Sequence, residues 1–387
     1  MCRDLARMAA LAVAAVFAGW IGWSGNLLLL PASCAFALIW SQAPNRMAVL
    51  IVSAAYFLTA SRGLPLGVQR FYSTDVWPGL ILWLLASVSF VLVHLAVWSR
   101  RSAWRPLGFL VAMVLMAIPP FGITGWAHPL TASGVLFPGW GWWGLVAMTA
   151  GLMGLATRMG PAVAVALTGF WLWSAAIWTD PQLPAAWRGV DLEMGASLGR
   201  DATLKRQRDL IATVHETASQ SASVIVLPES ALGFWTPTLG SFWKESLHGR
   251  GVTVIAGAAA LDPGGYDNVL LMIDGDGSNI LYRERMPVPV SMWRPWGPLF
   301  GERGGARAHF FANPVVELGG RRIAPLICYE QLLVWPVLQS MLTGANVIVA
   351  VGNGWWTAGS SIVDVQRANL AAWASLFGIP LVISFNT

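Results

Sequence analysis

The sequence predicts a chain in two parts. A multi-pass α-helical membrane bundle over residues 1–180 is followed by a water-soluble α/β domain over residues 188–387. Three observations carry this reading. Charged residues make up 11% of the chain and apolar residues 56%, too few charges to hydrate the surface of a globule of this size. The apolar residues before 180 are gathered into runs long enough, or nearly so, to cross hydrocarbon. After "TDPQLP" (179–184) the runs shorten to strand length and alternate with amphipathic segments.

In the first part the runs lie near 6–23, 26–41, 46–61, 77–98, 106–121, 139–157 and 160–178. Seven is the best count, with six and eight as its neighbours. The first is a retained anchor, because no small-residue cleavage site follows a short apolar core. Cys2 is not a lipoprotein cysteine, because its apolar segment follows it. Arg3 and Arg7 precede the first run, Arg46 follows the second, Arg100, Arg101 and Arg105 the fourth, and Arg158 the sixth. By the positive-inside rule these segments are cytoplasmic. The opposite loops, such as "GITGWAHPLTASG", are nearly uncharged, apart from Arg62 and Arg70 in "SRGLPLGVQRFYSTD". An odd count then places everything after residue 180 outside an inner membrane, in the periplasm. Arg62 and Arg70 on that side suit either lipid phosphates or interfacial snorkelling, and "GWGWWG" (139–144) reads as an interfacial aromatic belt. His94, inside the fourth run, reads as a neutral histidine hydrogen-bonded between helices.

In the second part "RDATLKRQRDLIATVHETASQ" (200–220) has helical periodicity, with Leu204, Leu210, Ile211 and Val214 on one face; His215 on it reads as a surface residue without a partner. "ASVIVLP", "GVTVIAGAAAL", "NVLLMIDG", "RRIAPLICY" and "NVIVAVG" read as buried strands. "DVQRANLAAWASLFG" reads as a helix and "PLVISF" as a last strand. The net charge of +5 does not suggest direct nucleic-acid binding. Cys2, Cys34 and Cys328 have neither disulfide-framework nor metal-ligand spacing, and no metal or cofactor is predicted.

Three strand ends hold candidate chemistry. In "VIVLPESALGFW", Glu229 sits where the chain leaves the sheet, the usual place for a catalytic group; a solvated turn acid is the plainer reading. In "PLICYE", Cys328 at a strand end would be a nucleophile if a base takes its proton; taken alone, it is more often a packed core cysteine. In "AVGNGWWTAG", Asn353, Trp355 and Trp356 occupy a Gly-rich turn suited to a substrate loop, and the two tryptophans suit membrane anchors equally well.

Taken together, "PES", then "CYE" about a hundred residues on, then N-x-W-W and "QRANLAAWASLFGIPLVISFNT" resemble the carbon–nitrogen hydrolase (nitrilase) superfamily. The preceding spans narrow the likeness to its apolipoprotein N-acyltransferase branch. The stretches "AGWIGWSGNLLLLP" and "AAYFLTASRGLPLGVQRFYS" are similar to a conjugal-transfer group within it. The resemblance implies an αββα sandwich. It also implies a Glu–Lys–Cys site with Cys328 as nucleophile, Glu229 as general base, the Tyr329 amide as oxyanion donor and Glu330 in support. Implied partners are membrane lipids, a phospholipid acyl donor, and a lipoprotein or a component of the conjugation machinery. The chain departs from the family in two places. "YRERMPVP" sets Glu284 where the lysine belongs and, further on, Met292 where an acid belongs. Arg283 or Arg285 replaces the lysine only if the strand slips by one residue, since alternation otherwise points both away. The chain also stops at Asn386–Thr387, short of the family's further hairpin and span, so the domain reads as shortened at the C-terminus, with an uncovered sheet edge. Two functions therefore stand: a membrane thiol acyltransferase or amidase, and a catalytically impaired relative that binds or scaffolds.

Overall fold

The computed structural model describes residues 2–196, 203–301, 304–312 and 314–387. The chain forms two compact units. The first comprises Met1–Pro181, Leu332–Trp335 and Gly359–Ile379, and the second Gln182–Gln331, Pro336–Ala358 and Pro380–Thr387.

The first unit is helical: α1 (Cys2–Gly22), α2 (Ala35–Ser41), α3 (Arg46–Ala60), α4 (Leu64–Tyr72), α5 (Val76–Val97), α6 (Arg105–Ala117), α7 (Ser133–Leu136), α8 (Gly141–Leu155) and α9 (Gly160–Ala176). All seven predicted runs are helical in whole or in part, but most are short. Among the described residues, α1 from Asp4 and α5 are long and apolar enough to cross a membrane; α3 and α4, bent 49° at their junction, make a third if counted as one span. The run 26–41 is not one helix. It opens as a 3₁₀ stretch, Leu27–Cys34, capped by the Asn26 side chain accepting from the Leu28 N–H, and continues as α2. Pro31 inside that stretch has no N–H to give to an α-helical ladder. Arg3 and Arg7 lie within α1, not ahead of it, because the helix continues through its polar first turns. Arg7 there donates to the Gln42 carbonyl.

His94 is buried among Phe36, Phe57 and Phe109, and its Nδ1 lies 2.8 Å from the Phe90 carbonyl one turn back. Its bond is within its own helix. Across to another helix, the His94 carbonyl accepts from Trp40 Nε1. Arg62 stacks over Trp20 at 4.5 Å. Large apolar side chains face outward along the helices, among them Phe17, Trp77, Leu85, Val165 and Trp173.

The second unit contains two sheets. The first has the order β1 (Trp187–Gly189), β2 (Val224–Val226), β3 (Thr253–Asp262), β4 (Gly265–Ile273), β5 (Ser278–Arg283), parallel through β3 and antiparallel after it. The second has the order β6 (Val316–Leu318), β7 (Arg321–Ile327), β8 (Val347–Asn353), β9 (Leu381–Asn386), with β7, β8 and β9 parallel. Side-chain alternation divides the core. Ile225, Leu227, Val254, Ala256, Val269 and Leu271 cluster with Leu210, Ile211 and Val214 of α10 (Leu204–Ser219) and with Trp243 and Leu247 of α11 (Pro237–Leu247). Their strand neighbours Val226, Ile255 and Leu270 turn the other way and meet Ile323, Ile327, Val349 and Val351 of the second sheet. This is a sheet-on-sheet sandwich with helices outside. Burying each such aliphatic side chain stabilises it by about 1.5–3 kcal/mol. The chain also forms α12 (Val334–Leu342) and α13 (Ile362–Phe377); α13 packs with α7 inside the first unit.

The edge of β9 is not uncovered. The segment after β1 runs beside it, with Leu192 N–H donating to the Phe385 carbonyl and Thr387 N–H to the Leu192 carbonyl. His215 has a partner, since its Nε2 lies 3.1 Å from the Ser246 carbonyl. Of the helix read over 200–220, residues 200–202 lie outside the described residues.

Candidate active site

The site forms where β2, β5, β7 and β8 end. Glu229 follows β2 by three residues, and Ser230 after it takes a left-handed conformation at φ 59°. This turn lies against Gly257 of β3, where an added Cβ would come 2.5 Å from the Glu229 Cα. Only glycine lets the two backbones meet there.

Cys328 is the first residue after β7 and opens a 3₁₀ turn, Cys328–Leu332. Its φ of 46° is left-handed, a strained conformation for a residue with a Cβ and one that clusters at functional positions. The residue belongs to the core between the sheets and is 8% exposed. Its thiol and the Glu229 carboxyl group interact directly, and the Asn353 backbone at the end of β8 bears on both, while Glu229 Oε2 has no hydrogen-bond partner among the described residues. The acid and the sulfur, about a hundred positions apart in sequence, thus lie together in the buried interior.

Asn268 of β4 completes the surroundings. Its Nδ2 donates to Glu229 Oε1 and to Glu284 Oε2, each at 2.9 Å. Glu284, at the position where the sequence resemblance expects a lysine, is 1% exposed. Glu330 is also fully buried, but it serves a different function. Its Oε1 accepts from the Tyr282 hydroxyl (2.7 Å) and from the N–H groups of Arg285 and Met286, and its Oε2 from the Ile327 N–H. Four donors and no acceptor suit only the ionised carboxylate. Its bonds tie β5 to the turn that presents Cys328.

Neither arginine takes the lysine's place. Arg283 pairs with Asp267. The Arg285 side chain leaves the site on the opposite face from Glu284, as alternation requires, and donates to the Tyr282 hydroxyl, Gln339 Oε1, Ser340 Oγ and the Pro325 carbonyl. Its Nε lies 3.8 Å from Glu330 Oε1. The 0% exposure of both groups makes this ion pair costly to break from one side.

Burial raises Glu229 to about 7, although its bonds from Asn268, Cys328 and Asn353 hold it down. Burial also pushes the Cys328 thiol well above its ordinary value, and the nearby Glu229 adds to the rise. The resting pair is therefore a neutral thiol beside a carboxylate poised to ionise near neutrality, the arrangement a general base requires.

Tyr329 is the second residue of the 3₁₀ turn, so its amide adjoins the sulfur-bearing residue in the chain. Asn353 ends β8 with its Oδ1 accepting from Asn386 Nδ2 at 2.7 Å. Trp355 and Trp356 form the following 3₁₀ turn, with Trp356 Nε1 donating back to the Asn353 carbonyl. Met292 lies in the loop after β5, its carbonyl accepting from the Ala306 N–H. Sequence reasoning missed Asn268. The signal was an asparagine inside "GYDNVLLMI", a strand that is apolar from Val269 on. Among the described residues no group of acids, histidines and cysteines is arranged to hold a metal ion.

A family model described as carbon-nitrogen hydrolase matches residues 58–375. The chain belongs to the carbon–nitrogen hydrolase family. Within it, the chain is similar over its full length to conjugal transfer proteins. It is 63% identical to the probable conjugal transfer protein TraB of Sinorhizobium fredii, covering all of both chains. It is 58% identical to the conjugal transfer protein TraB of Agrobacterium fabrum, covering all of this chain and 94% of that one. Among solved structures, an amidase from Nesterenkonia sp. aligns at 16% identity with a TM-score of 0.38, covering 52% of this chain and 74% of that one. A likeness that distant carries no weight here.

Proposed function

We propose that the protein is a membrane-embedded thiol acyltransferase or amidase that serves plasmid conjugal transfer. The observation that carries the reading is the buried contact between Cys328, at its left-handed strand end, and Glu229. Cys328 Sγ attacks an acyl carbonyl while Glu229 takes the thiol proton. The intermediate collapses, the leaving group departs with that proton, and an acyl thioester remains on Cys328. An acceptor then attacks the thioester, Glu229 removing its proton and returning it to the sulfur. The Tyr329 amide is a donor to the oxyanion, and the 353–356 turn borders the substrate.

Membrane residence is supported by the outward apolar side chains of the first unit and by its two to three span-length helices. In the proposed arrangement the unit is multi-pass in the inner membrane, its N-terminus is cytoplasmic and the sandwich is periplasmic. Membrane lipids are its neighbours, a phospholipid is the acyl donor, and a lipoprotein or a conjugation component is the acceptor. The conjugal role rests on the names of the two relatives.

A second reading, a scaffold with an impaired site, is favoured by one observation: a buried carboxyl group, Glu284, bonded to Asn268 where the sequence resemblance expects a lysine. One experiment separates them. The purified protein is incubated with phospholipid bearing alkyne-tagged acyl chains. An enzyme acquires a tag on Cys328 that hydroxylamine releases and that Cys328→Ser lacks, and donor cells carrying Cys328→Ser lose plasmid transfer at normal protein levels. An untagged protein whose Cys328→Ser variant still supports transfer is a scaffold.

A further inference from the structure

Glu229 and Glu284 are two buried carboxyl groups joined by one neutral amide. Asn268 Nδ2 has two hydrogens, and it bonds to one oxygen of each acid. Arg283 is held by Asp267 and Arg285 by Glu330 and its neighbours. No ion pair among the described residues involves either acid. Two adjacent carboxylates buried without a cation do not both ionise, so one of them retains a proton.

The hydrogen bonds decide which one. Glu229 is also approached by two further donors, the Cys328 thiol and the Asn353 N–H, and these favour its anion. Each acid keeps one buried oxygen with no hydrogen-bond partner among the described residues, Oε2 of Glu229 and Oε1 of Glu284, but Glu284 receives only Asn268, at Oε2. Because Glu229 alone has groups besides Asn268 that favour its anion, the retained proton is assigned to Glu284, on the Oε1 that no protein acceptor engages.

We propose that Glu284 is a catalytic residue that acts as a neutral acid, donating through Oε1 to the oxyanion formed when Cys328 adds to an acyl carbonyl. The proposal rests on the acyl-transfer reading above and names the group that does the work of the family's lysine. On attack, the sulfur–carbon bond forms and the carbonyl π pair moves onto oxygen. The thiol proton passes to Glu229, and Glu284 shares its own proton with the oxygen without losing it. Collapse restores the carbonyl, expels the leaving group with the proton from Glu229, and returns Glu284 to its starting state. A carboxylic acid kept neutral by an apolar site is a competent oxyanion donor. Burial pushes Glu284 well above the ordinary carboxylate range, and the charges of Glu330 and Glu229 push it further.

Two probes test the proposal on the full-length protein. Iodoacetamide alkylates a thiol by displacement and forms no oxyanion, whereas p-nitrophenyl butyrate must pass through one. Glu284→Ala is expected to slow acylation of Cys328 by roughly 10²–10³-fold and to leave alkylation unchanged, since a neutral group has been removed. Glu284→Gln, which keeps an N–H donor and the volume, retains most of the acylation rate. Faster alkylation in Glu284→Ala shows that Glu284 was an anion repelling the thiolate and overturns the proposal. So does acylation that Glu284→Ala and Glu284→Gln leave at the parent rate. A Cys328 inert to both probes in the parent protein, with Cys328→Ser as the control, removes the acyl-transfer reading and this proposal with it.

Discussion

Replacing Glu229 by glutamine should make the fold more stable while disabling the site. The unfolded chain releases the Glu229 proton near 4.5 and the folded chain near 7. Between those values the folded state binds the extra proton, so this group's contribution falls as pH rises. Below 4.5 it costs nothing, and above 7 the cost of holding a buried charge is complete at about 3 kcal/mol. Glutamine keeps the carbonyl that accepts from Asn268 and carries no charge. Glu229→Gln should therefore match the parent at pH 4 and exceed it at pH 8 by up to about 3 kcal/mol, less what its own amide loses in the pocket. The assay is thermal unfolding followed by tryptophan fluorescence at a series of pH values, parent and variant side by side, so that other titrating groups largely cancel. The contrary result is an equal pH slope for the two proteins between 4.5 and 7. The Glu229 carboxyl would then not be strained by burial and would have no special fitness as a base.

Gly257→Ala should displace the Glu229 turn, because the new Cβ would come 2.5 Å from the Glu229 Cα; the cost is about 1–3 kcal/mol, read as a lower unfolding temperature together with slower alkylation of Cys328. Tyr282→Phe removes the hydroxyl that donates to Glu330 and accepts from Arg285, and should lower stability by about 1.5–3 kcal/mol in denaturant titration. Asn268→Ala leaves both bridged carboxyl oxygens without their donor; it should raise the pH at which Glu229 ionises, seen as a shift of the Cys328 alkylation profile to higher pH.

The strand ends that hold the chemistry could be read from the sequence because buried strands advertise themselves. "VIVLP", "RRIAPLICY" and "NVIVAVG" are mostly apolar runs; the observed β2 and β7 lie inside the first two, and β8 overlaps the third and ends one residue beyond it, at Asn353. Strand alternation likewise turns Arg283 and Arg285 away from Glu284, toward Asp267 and Gln339 respectively. What the sequence hid was pairing at a distance. Nothing local in Asn268 indicates that its amide bridges two acids contributed by other parts of the chain. Apolar periodicity reports that a face is buried and not what buries it, so α13 was read without its packing against α7. The cover over β9 was missed for the same reason, since residues 190–194 have no strand pattern of their own. The left-handed backbone at Cys328 was hidden because a cysteine carries no propensity for it; the fold imposes it. The first unit's runs gave helices but not their breaks, which follow single residues such as Pro31.

The pH dependence of Cys328 alkylation by iodoacetamide, compared between the parent and Glu229→Gln, tests most directly whether the acid and the sulfur work as one unit. If they do, the parent's rate rises through about pH 7 and levels off, because the reactive form is the thiolate beside a protonated Glu229, which shares its single proton with the resting pair. The glutamine variant should then react only at the high pH of an unaided buried thiol. Superimposable profiles for the two proteins would mean that Glu229 does not take the Cys328 proton, and the account of the site would fail.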